Sequence, residues 1–129
     1  SCGCYQEDIT RLPKYTSSMN ILYNSYVRGA TDRKIDFELT PEQFFLLTRQ
    51  NCFYCGIEPQ QKERSNPRTY GHYIYNGVDR VDSKKNYTLD NVVPCCKHCN
   101  YAKKNMSQEE FYNWLKRAYI HSVQPTIEI

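Results

Sequence analysis

Two pairs of cysteines in this sequence have the spacing of a metal site. Each pair encloses two residues, as Cys52 and Cys55 do in CFYCG and as Cys96 and Cys99 do in CKHCN. Two thiolates three residues apart on a tight turn can bind one ion, and two such turns complete a tetrahedral Zn²⁺ site. Residues 56–95 separate the pairs, so the ion would join distant segments and stabilise a small core. The sequence therefore predicts a structural four-cysteine zinc site.

Two neighbouring residues are not expected to bind this ion. Cys95 directly precedes the second pair and is predicted to be a small core residue. His98 lies between two ligands, so its substitution for a cysteine ligand is the lesser alternative. For the two pairs themselves, the alternative to a metal site is a set of buried or redox-active thiols.

Three further motifs follow one another in the stretch 76–105, NGVDRVDSKKNYTLDNVVPCCKHCNYAKKN. They are D-R-x-D, then Y-T-x-D-N, then C-x2-C-N-x-A-K. Together they resemble the HNH endonucleases, particularly a small phage and bacterial type. The similarity extends over 16–117 through ILYNSYVRGATDRKIDFELTPEQF and CFYCG. The resemblance implies an α+β fold of the ββα-metal (His-Me finger) type with flanking helices, in which two strands and a helix hold a divalent ion against the scissile phosphate.

The resemblance also implies roles for single residues. Asp79 and Asn100 match the ligands of a catalytic Mg²⁺ or Mn²⁺, and Asn91 matches the asparagine that positions the loop. A hard cation with oxygen ligands and open positions can bind phosphate oxygens and stabilise charge on the leaving oxygen. The family's general base is a histidine directly after the aspartate, where this chain has Arg80. A guanidinium does not accept a proton at physiological pH, so Arg80 is expected to clamp a phosphate oxygen.

Another group must then activate the attacking water. An Asn-Gly pair between two strand-like segments predicts a hairpin with a two-residue turn. This hairpin would place His72 on the face of Asp79 and Tyr73 on the face of Arg80. The pKa of histidine lies near neutrality, which makes His72 the first candidate for the base. Tyr73 or Tyr75 is the second candidate, and metal-bound hydroxide beside a surface His72 is the third.

DNA affinity comes mostly from neutralisation of phosphates. Basic side chains are expected to contact DNA from the polar loop 57–69 and from the surroundings of the site. For any single lysine, a solvated surface position is the alternative. The helix over 16–30 could add DNA contacts through Tyr23, Tyr26 and Arg28, but its apolar spacing favours core packing for the two tyrosines. The candidates for DNA binding are Lys62, Arg64, Arg68, Lys84, Lys85, Lys97, Lys103 and Lys104.

Periodicity predicts the elements that position these residues in the first half of the chain. Apolar residues at helical spacing predict a helix over 16–30, and alternating residues predict a short strand over 35–39. Thr40 as N-cap, Pro41 at the first position and Gln43 three residues after the cap predict a further helix. That helix is expected to end before the first cysteine pair.

In the second half, Val92-Val93 predicts a short strand. Ser107 and Glu110 have the spacing of a capping box and predict the start of the last helix. Asn86 and Lys104 replace glycines of the family that the chain resembles, and both replacements are expected to be harmless, since Asn tolerates a left-handed backbone. The residues expected on the apolar face of the last helix are Phe111, Trp114, Leu115, Ala118 and Tyr119.

Composition excludes several classes of protein. The 129 residues carry 17 basic and 14 acidic side chains, and a net charge of +3 permits a polyanionic partner without requiring one. No apolar run approaches the ~20 residues of a membrane helix. No secretory signal is visible, and the seven cysteines are an odd number. Both observations argue against a secreted disulfide framework. We therefore expect no membrane partner and a cytoplasmic location, in a bacterial host if the chain is phage-encoded.

One domain is expected over 16–122, followed by a tail over 123–129. Cys2 and Cys4 resemble the closing half of a small upstream zinc finger, so 1–15 is expected to be a remnant left by trimming or cleavage, without a metal of its own. The favoured function is metal-dependent hydrolysis of DNA phosphodiesters. The alternatives are a DNA-binding module that has lost cleavage and a zinc domain that binds proteins. A single small site cuts one strand, so duplex cleavage would require a homodimer or two successive encounters.

Overall fold

The computed structural model describes residues 13–63 and 73–124 and has the predicted α+β architecture. Within these residues, two antiparallel two-stranded sheets pack with four α-helices. A 3₁₀ turn over Leu89–Asn91 leads into the last strand. The elements are α1 (Pro13–Asp32), α2 (Pro41–Thr48), β1 (Gln61–Glu63), β2 (Tyr73–Tyr75), β3 (Gly77–Arg80), β4 (Val92–Cys95), α3 (Lys97–Lys103) and α4 (Gln108–Ser122).

Local capping signals fix the starts of two helices as predicted. The Thr40 side chain accepts the backbone N–H of Gln43, and the Gln43 side chain accepts the N–H of Thr40 at 3.0 Å. Ser107 and Glu110 form the same reciprocal pair at the start of α4. Each pair satisfies two N–H groups that the first turn of a helix leaves without partners. The helix predicted over 16–30 is also confirmed, although it begins three residues earlier.

The predicted hairpin around Asn76-Gly77 is wrong. β2 pairs with β1, with Ile74 opposite Lys62, and β3 pairs with β4. Asn76 is instead the point where the chain passes from one sheet to the other. Its buried side-chain amide donates to the carbonyl oxygens of Gln50 (2.9 Å) and of the residue that follows Gly56 (3.2 Å). These acceptors hold Asn76 in the interior, where a surface turn cannot form.

Gly77 allows α1 and the start of β3 to approach each other closely. A Cβ on this residue would lie 2.7 Å from the Tyr26 hydroxyl oxygen of α1. That hydroxyl accepts the backbone N–H of Val78 at 3.1 Å, which ties α1 to the start of β3. Glycine is therefore needed here for the space it leaves, and the Asn-Gly signal was misread as a turn.

Aromatic side chains fill the core between α1, α2 and the β3–β4 sheet. Phe44 is fully buried, and the rings of Tyr23 and Tyr26 meet it edge-on at 5.5 and 5.0 Å. Phe37 and Tyr87 close the cluster at 5.1 Å from each other. Tyr23 and Tyr26 therefore pack in the core as expected. The strand predicted over 35–39 is reduced to one bridge between Phe37 and Tyr87.

Most of the predicted apolar face of α4 is not covered. Phe111 is fully buried against the Tyr54 ring, but Trp114 and Tyr119 keep 39% and 66% of their surface exposed. Helical spacing shows which side chains share a face, but it does not show how much of that face another element covers. No helix in the described ranges is long and apolar enough to span a bilayer.

The two positions expected to tolerate the loss of glycine behave differently. Lys104, directly after α3, has a φ of 48°, so a lysine occupies a conformation that favours glycine. Asn86 is not left-handed, contrary to expectation. Its side-chain oxygen instead accepts the backbone N–H of Asp36 at 3.1 Å, which joins the segment before α2 to the loop after β3.

Candidate active site and metal centre

The four cysteines predicted as metal ligands come together in the structure. The sulfur atoms of Cys52, Cys55, Cys96 and Cys99 all lie within 4.8 Å of one another, and the closest recorded pair, Cys55 and Cys96, is 3.6 Å apart. In a tetrahedral zinc site with bonds of about 2.3 Å, the sulfur atoms would be about 3.8 Å apart. The donor set and its size therefore fit a structural metal ion such as zinc.

Each cysteine pair lies on a tight turn that its own residues stabilise. In the first turn, the N–H of Gly56 donates to the carbonyl oxygen of Cys52 at 2.8 Å, and Gly56 adopts a φ of +79°. In the second, Cys96 is the N-cap of α3 and its sulfur accepts the N–H of Cys99. The N–H of Phe53 donates to β4, which brings the two turns together.

Electrostatics in the cluster differ between the thiols. Burial opposes ionisation of Cys52, but backbone N–H groups directed at its sulfur outweigh that effect and lower its pKa to about 7. Burial raises the pKa of both Cys55 and Cys99. Cys95 lies outside the cluster and is 1% exposed, as expected for a core residue, and burial raises its pKa as well. A cation that binds the cluster would compensate for the cost of ionising crowded thiols.

Asp79 of β3 is a buried carboxylate with two donors from the surrounding elements. Its side chain is 7% exposed. The Tyr54 hydroxyl donates to Oδ2 at 2.8 Å, and Lys103 Nζ lies 3.1 Å from Oδ2 and 3.5 Å from Oδ1. The Lys103 ammonium also donates to the backbone carbonyl of Arg80 at 3.1 Å. These contacts fix the orientation of the carboxylate, and most of its remaining acceptor capacity is on Oδ1.

Lys103 differs from its prediction as a DNA-binding residue. Its side chain is 0% exposed, so it contacts neither DNA nor solvent, and the alternative of a solvated face is wrong as well. The physical reason is its place in the last turn of α3, directly over Asp79, where an ion pair satisfies both charges. A sequence pattern gives the lysine but not the buried carboxylate that faces it.

Arg80 lies at the edge of the site and is half-buried. Its Nη1 donates to the carbonyl oxygens of Ser83 at 2.7 Å and Lys85 at 2.8 Å, and its guanidinium lies 5.2 Å from the centre of the Tyr87 ring. The guanidinium thus orders the turn after β3 with one nitrogen. Within the described residues, no acceptor is recorded for its other nitrogens, which can bind a phosphate oxygen.

Asn91 connects both ends of the loop that follows β3. Its side-chain oxygen accepts the N–H of Asp82 at 3.0 Å, and its side-chain nitrogen donates to the carbonyl oxygens of Asp82 (3.1 Å) and Asn86 (2.9 Å). Asn91 is buried, so these contacts use its side chain completely. Its position is that of a residue that shapes the loop beside Arg80.

A cleft of about 320 Å³ brings three of the predicted catalytic residues together. Asp79 and Arg80 line it from β3, and Asn100 lines it from α3. Lys104 and Asn105 extend the same wall, and both are exposed. The cleft therefore combines a carboxylate, an amide oxygen and cationic groups, as expected of a site that binds a metal ion and a phosphate.

Arg33 also lines this cleft and was missed by the sequence analysis. It follows the last residue of α1, where its Nε donates to the carbonyl of Gly29 at 3.1 Å and its Nη2 donates to the Tyr87 hydroxyl at 3.0 Å. Tyr87 thus contacts both Arg33 and Arg80. Tyr54 was missed too, because it appeared only as a spacer between two cysteines. No local sequence signal points to either residue.

Neither tyrosine proposed as general base lines the cleft. Tyr73 is buried in the core, where its hydroxyl contacts the Thr48 hydroxyl, and the failed hairpin removes the reason to place it beside Arg80. Tyr75 stacks on Tyr73 and does not line the cleft, and burial raises its pKa, which opposes the role of a base. His72 lies outside the described residues.

The other predicted DNA-binding residues divide into two groups. Lys62, Lys84, Lys85, Lys97 and Lys104 are all exposed, and Lys104 lines the cleft itself. Arg64 and Arg68 lie outside the described residues, as do Cys2 and Cys4.

Comparisons with known proteins agree with these motifs. No protein-family model matches the chain. It is 31% identical over 98 residues to an uncharacterised protein of Acanthamoeba polyphaga mimivirus. That alignment covers 76% of this chain and 16% of the viral protein. It is 32% identical over 62 residues to an SPbeta prophage-derived protein of Bacillus subtilis assigned as an HNH endonuclease, which covers 48% of this chain and 26% of that protein. The aligned parts thus make up about a quarter or less of these two relatives.

The fold gives the more extensive match. The solved structure of the rare-cutting HNH restriction endonuclease PacI superposes with a TM-score of 0.56 at 27% identity, covering 81% of this chain and 78% of that chain. The superposition thus covers most of both chains. The fold, the motifs and the cleft together support the HNH endonuclease family for this chain.

Proposed function

We propose that this chain is a metal-dependent DNA endonuclease that hydrolyses phosphodiester bonds, encoded by a phage or mobile element. The observation that carries this proposal is the convergence of Asp79, Arg80 and Asn100 on one cleft. PacI and the prophage-derived relative are both described as HNH endonucleases, which favours the same chemistry here.

The residues present fit a divalent catalytic ion. Asp79 supplies an ionised carboxylate whose Oδ1 has only a long contact to Lys103, and Asn100 supplies an amide oxygen on the same cleft. Hard cations such as Mg²⁺ and Mn²⁺ prefer oxygen ligands, and Mg²⁺ commonly uses only one or two protein groups together with substrate phosphates. Asp79 and Asn100 would hold the ion, which when bound supplies Lewis-acid stabilisation of charge on the phosphate.

The remaining cleft residues act on the phosphate and the loop. Arg80 and Arg33 present guanidinium groups that would bind non-bridging phosphate oxygens and stabilise the charge of the transition state. Asn91 keeps the loop beside Arg80 in place. His72 stays our first candidate for the base. The cleft-lining residues that the structure describes include no histidine.

A larger neighbouring cavity extends the path for a nucleic acid strand. Its volume is about 610 Å³, it shares Asn100 with the cleft, and Lys62, Lys97 and His98 line it. These side chains are exposed and can neutralise phosphates on one side of the scissile bond. Lys84 and Lys85 are exposed on the loop whose backbone Arg80 contacts, and they can neutralise further phosphates.

The four-cysteine cluster is proposed to bind zinc in a structural role. All four ligand positions of a tetrahedral ion are occupied by protein sulfur, so no position remains for water or substrate. The ion would therefore take no direct part in hydrolysis. It would hold the turn before β1 against the start of α3.

The experiment that tests the proposed function is cleavage of supercoiled plasmid by zinc-loaded protein with Mg²⁺, Mn²⁺ or EDTA. We expect nicked product that requires the added cation, because one cleft cuts one strand, and linear product only where a second copy or a second encounter follows. Asp79→Asn is expected to lose cleavage, and Arg80→Ala to lose at least ~10-fold, in line with the loss of one transition-state donor. Arg117→Ala, an exposed arginine of α4, is the matched control.

The opposing result would be salt-sensitive DNA binding without cleavage by any cation on any substrate. That outcome would favour the binding module that has lost its activity, a reading supported by the two carbonyl contacts that already engage Arg80. Absence of both binding and cleavage would leave the zinc domain that binds proteins.

A further inference from the structure

The carboxylate at the centre of the cleft is held from both halves of the cysteine cluster. Tyr54 lies between Cys52 and Cys55 in the first turn, and its hydroxyl donates to Asp79 Oδ2. Lys103 ends the helix whose N-cap is Cys96, and its ammonium contacts the same oxygen. Two donors that meet on one oxygen therefore come from the two segments that the cluster joins.

The Tyr54 ring is itself fixed on several sides. It meets the rings of Phe111 at 5.1 Å, Phe53 at 5.3 Å and Tyr112 at 5.9 Å, each in an edge-on arrangement. The Tyr54 hydroxyl lies 2.8 Å from Asp79 Oδ2, and because a carboxylate oxygen accepts hydrogen bonds, the hydroxyl is the donor. A ring held this way leaves the hydroxyl little freedom, and the carboxylate that accepts from it has one preferred orientation.

The choice of oxygen has a consequence for a metal ion. Oδ2 receives both short contacts, at 2.8 and 3.1 Å, whereas Oδ1 has only the 3.5 Å contact to Lys103. The oxygen with more remaining acceptor capacity is therefore the one that a cation would use. Partners that orient a metal ligand in this way typically change metal affinity or activity by about 10–100-fold when they are removed.

We propose that Tyr54 is a positioning residue that orients Asp79 toward the catalytic cation and thereby couples the cysteine cluster to the active site. The inference rests on the proposed function, because it assigns Asp79 to a metal ion. It goes beyond that function by giving the first cysteine turn a direct part in the geometry of the cleft. Lys103 contacts the same carboxylate oxygen from the end of the helix that begins at the second cysteine turn.

The test measures Mn²⁺ binding to the zinc-loaded protein without DNA. Electron paramagnetic resonance reports the concentration of free Mn²⁺ during the titration. Tyr54→Phe removes one hydroxyl and keeps the ring packing, and we expect it to weaken Mn²⁺ binding about 10-fold. Tyr112→Phe, a neighbouring ring whose hydroxyl does not reach Asp79, is the matched control and should bind as the wild-type protein does. The part of the Mn²⁺ binding that is lost in Asp79→Asn is the part that belongs to this site.

Zinc content and thermal unfolding of Tyr54→Phe are measured in parallel and should match the wild-type protein. The half-saturating Mg²⁺ concentration for cleavage should rise in this variant, with DNA affinity retained. Wild-type Mn²⁺ affinity in Tyr54→Phe would overturn the inference. Loss of zinc from this variant would overturn it too, because the hydroxyl would then serve the cluster. If the wild-type protein neither binds Mn²⁺ through Asp79 nor cleaves DNA, the proposed function itself fails.

Discussion

At the scale of single residues, the centre of the site is an ion pair with almost no access to solvent. Lys103 and Asp79 have side-chain exposures of 0% and 7%. A buried pair of this kind adds little stability relative to apolar residues, but removal of one partner leaves the other charge without compensation. The pair therefore serves to keep an ionised carboxylate inside the domain, where the cleft needs it.

Replacement of the lysine tests this interpretation. Lys103→Met keeps the length of the side chain but removes its charge, and we expect the free energy of unfolding to fall by about 3 kcal/mol because Asp79 is left unpaired. The measurement is urea unfolding of the zinc-loaded protein. Lys97→Met, at the exposed start of the same helix, should change stability by less than about 0.5 kcal/mol. An equally small effect at Lys103 would mean that water reaches the pair.

The arginine at the end of α1 gives a second prediction at this scale. Arg33→Ala is expected to remove one phosphate contact and so to reduce the slope of log affinity against log salt by about 1. Cleavage should fall about 10-fold, since Arg33 lines the cleft beside Asp79 and Arg80. Arg28→Ala, an exposed arginine five residues earlier, within α1 and outside the cleft lining, is the comparison. Equal effects of the two substitutions would remove Arg33 from the site.

At the scale of elements, the passage from β2 to β3 determines where Asp79 lies. Asn76 is held by carbonyl groups at the end of α2 and in the first cysteine turn, and β3 begins directly after it. Tyr26 then binds the backbone of Val78 across the space that Gly77 leaves. The register of β3, and with it the side of the sheet on which Asp79 points, depends on these contacts.

A methyl group at Gly77 should disturb this arrangement. In Gly77→Ala the new Cβ would lie 2.7 Å from the Tyr26 hydroxyl, which is held by its own hydrogen bond, so we expect a loss of about 1–3 kcal/mol in unfolding free energy. Gly29→Ala is the contrast, because nothing lies within 4 Å of its Cβ and alanine favours the helix. It should be neutral or stabilising by up to ~1 kcal/mol in the same urea experiment. An unchanged free energy of unfolding in Gly77→Ala would show that α1 can shift away from the new methyl group without cost.

Sequence rules that act over a few neighbouring residues predicted the starts of two helices correctly. The Thr40 and Ser107 capping boxes act within four residues, and both helix starts were correct. The hairpin failed because Asn76 finds its partners 19 and 26 residues away, at Ile57 and Gln50, and no neighbouring residue indicates them.

The same limit applies to the site. The cysteine spacing predicted the four sulfur atoms that the structure brings together, and the motif around Asp79 predicted a residue that lines the cleft. The burial of Lys103 and the roles of Tyr54 and Arg33 depend on tertiary packing, so no local pattern could give them.

At the scale of the whole molecule, the cysteine cluster is one of the links between the two halves of the chain. It joins a turn after α2 to the start of α3, and the second half supplies β4 and the helix that carries Asn100 and Lys103. Structural zinc contributes about 10–16 kcal/mol in small metal-dependent peptides, whereas domains are stable by about 5–15 kcal/mol in total. A zinc ion bound by the cluster would therefore contribute as much as the whole stability of a typical domain.

Removal of the metal should show this directly. Chelation of the purified protein is expected to abolish the cooperative thermal transition seen by near-ultraviolet circular dichroism, and one equivalent of Zn²⁺ should restore it. Cys52→Ser should behave as the chelated protein does, whereas Cys95→Ser, which changes a thiol outside the cluster, should still bind one zinc ion. A chelated protein that melts at the temperature of the loaded one would mean that the aromatic core suffices.

The distance between the two cysteine pairs also matters during synthesis. Cys52 and Cys55 leave the ribosome well before Cys96 and Cys99, which lie in the last quarter or so of the 129 residues. During that interval the nascent chain carries a neighbouring pair of thiols without their partners, open to oxidation or to capture of an ion in an incomplete site. The order of translation thus gives the reducing capacity of the cell a direct influence on the yield of correctly assembled protein.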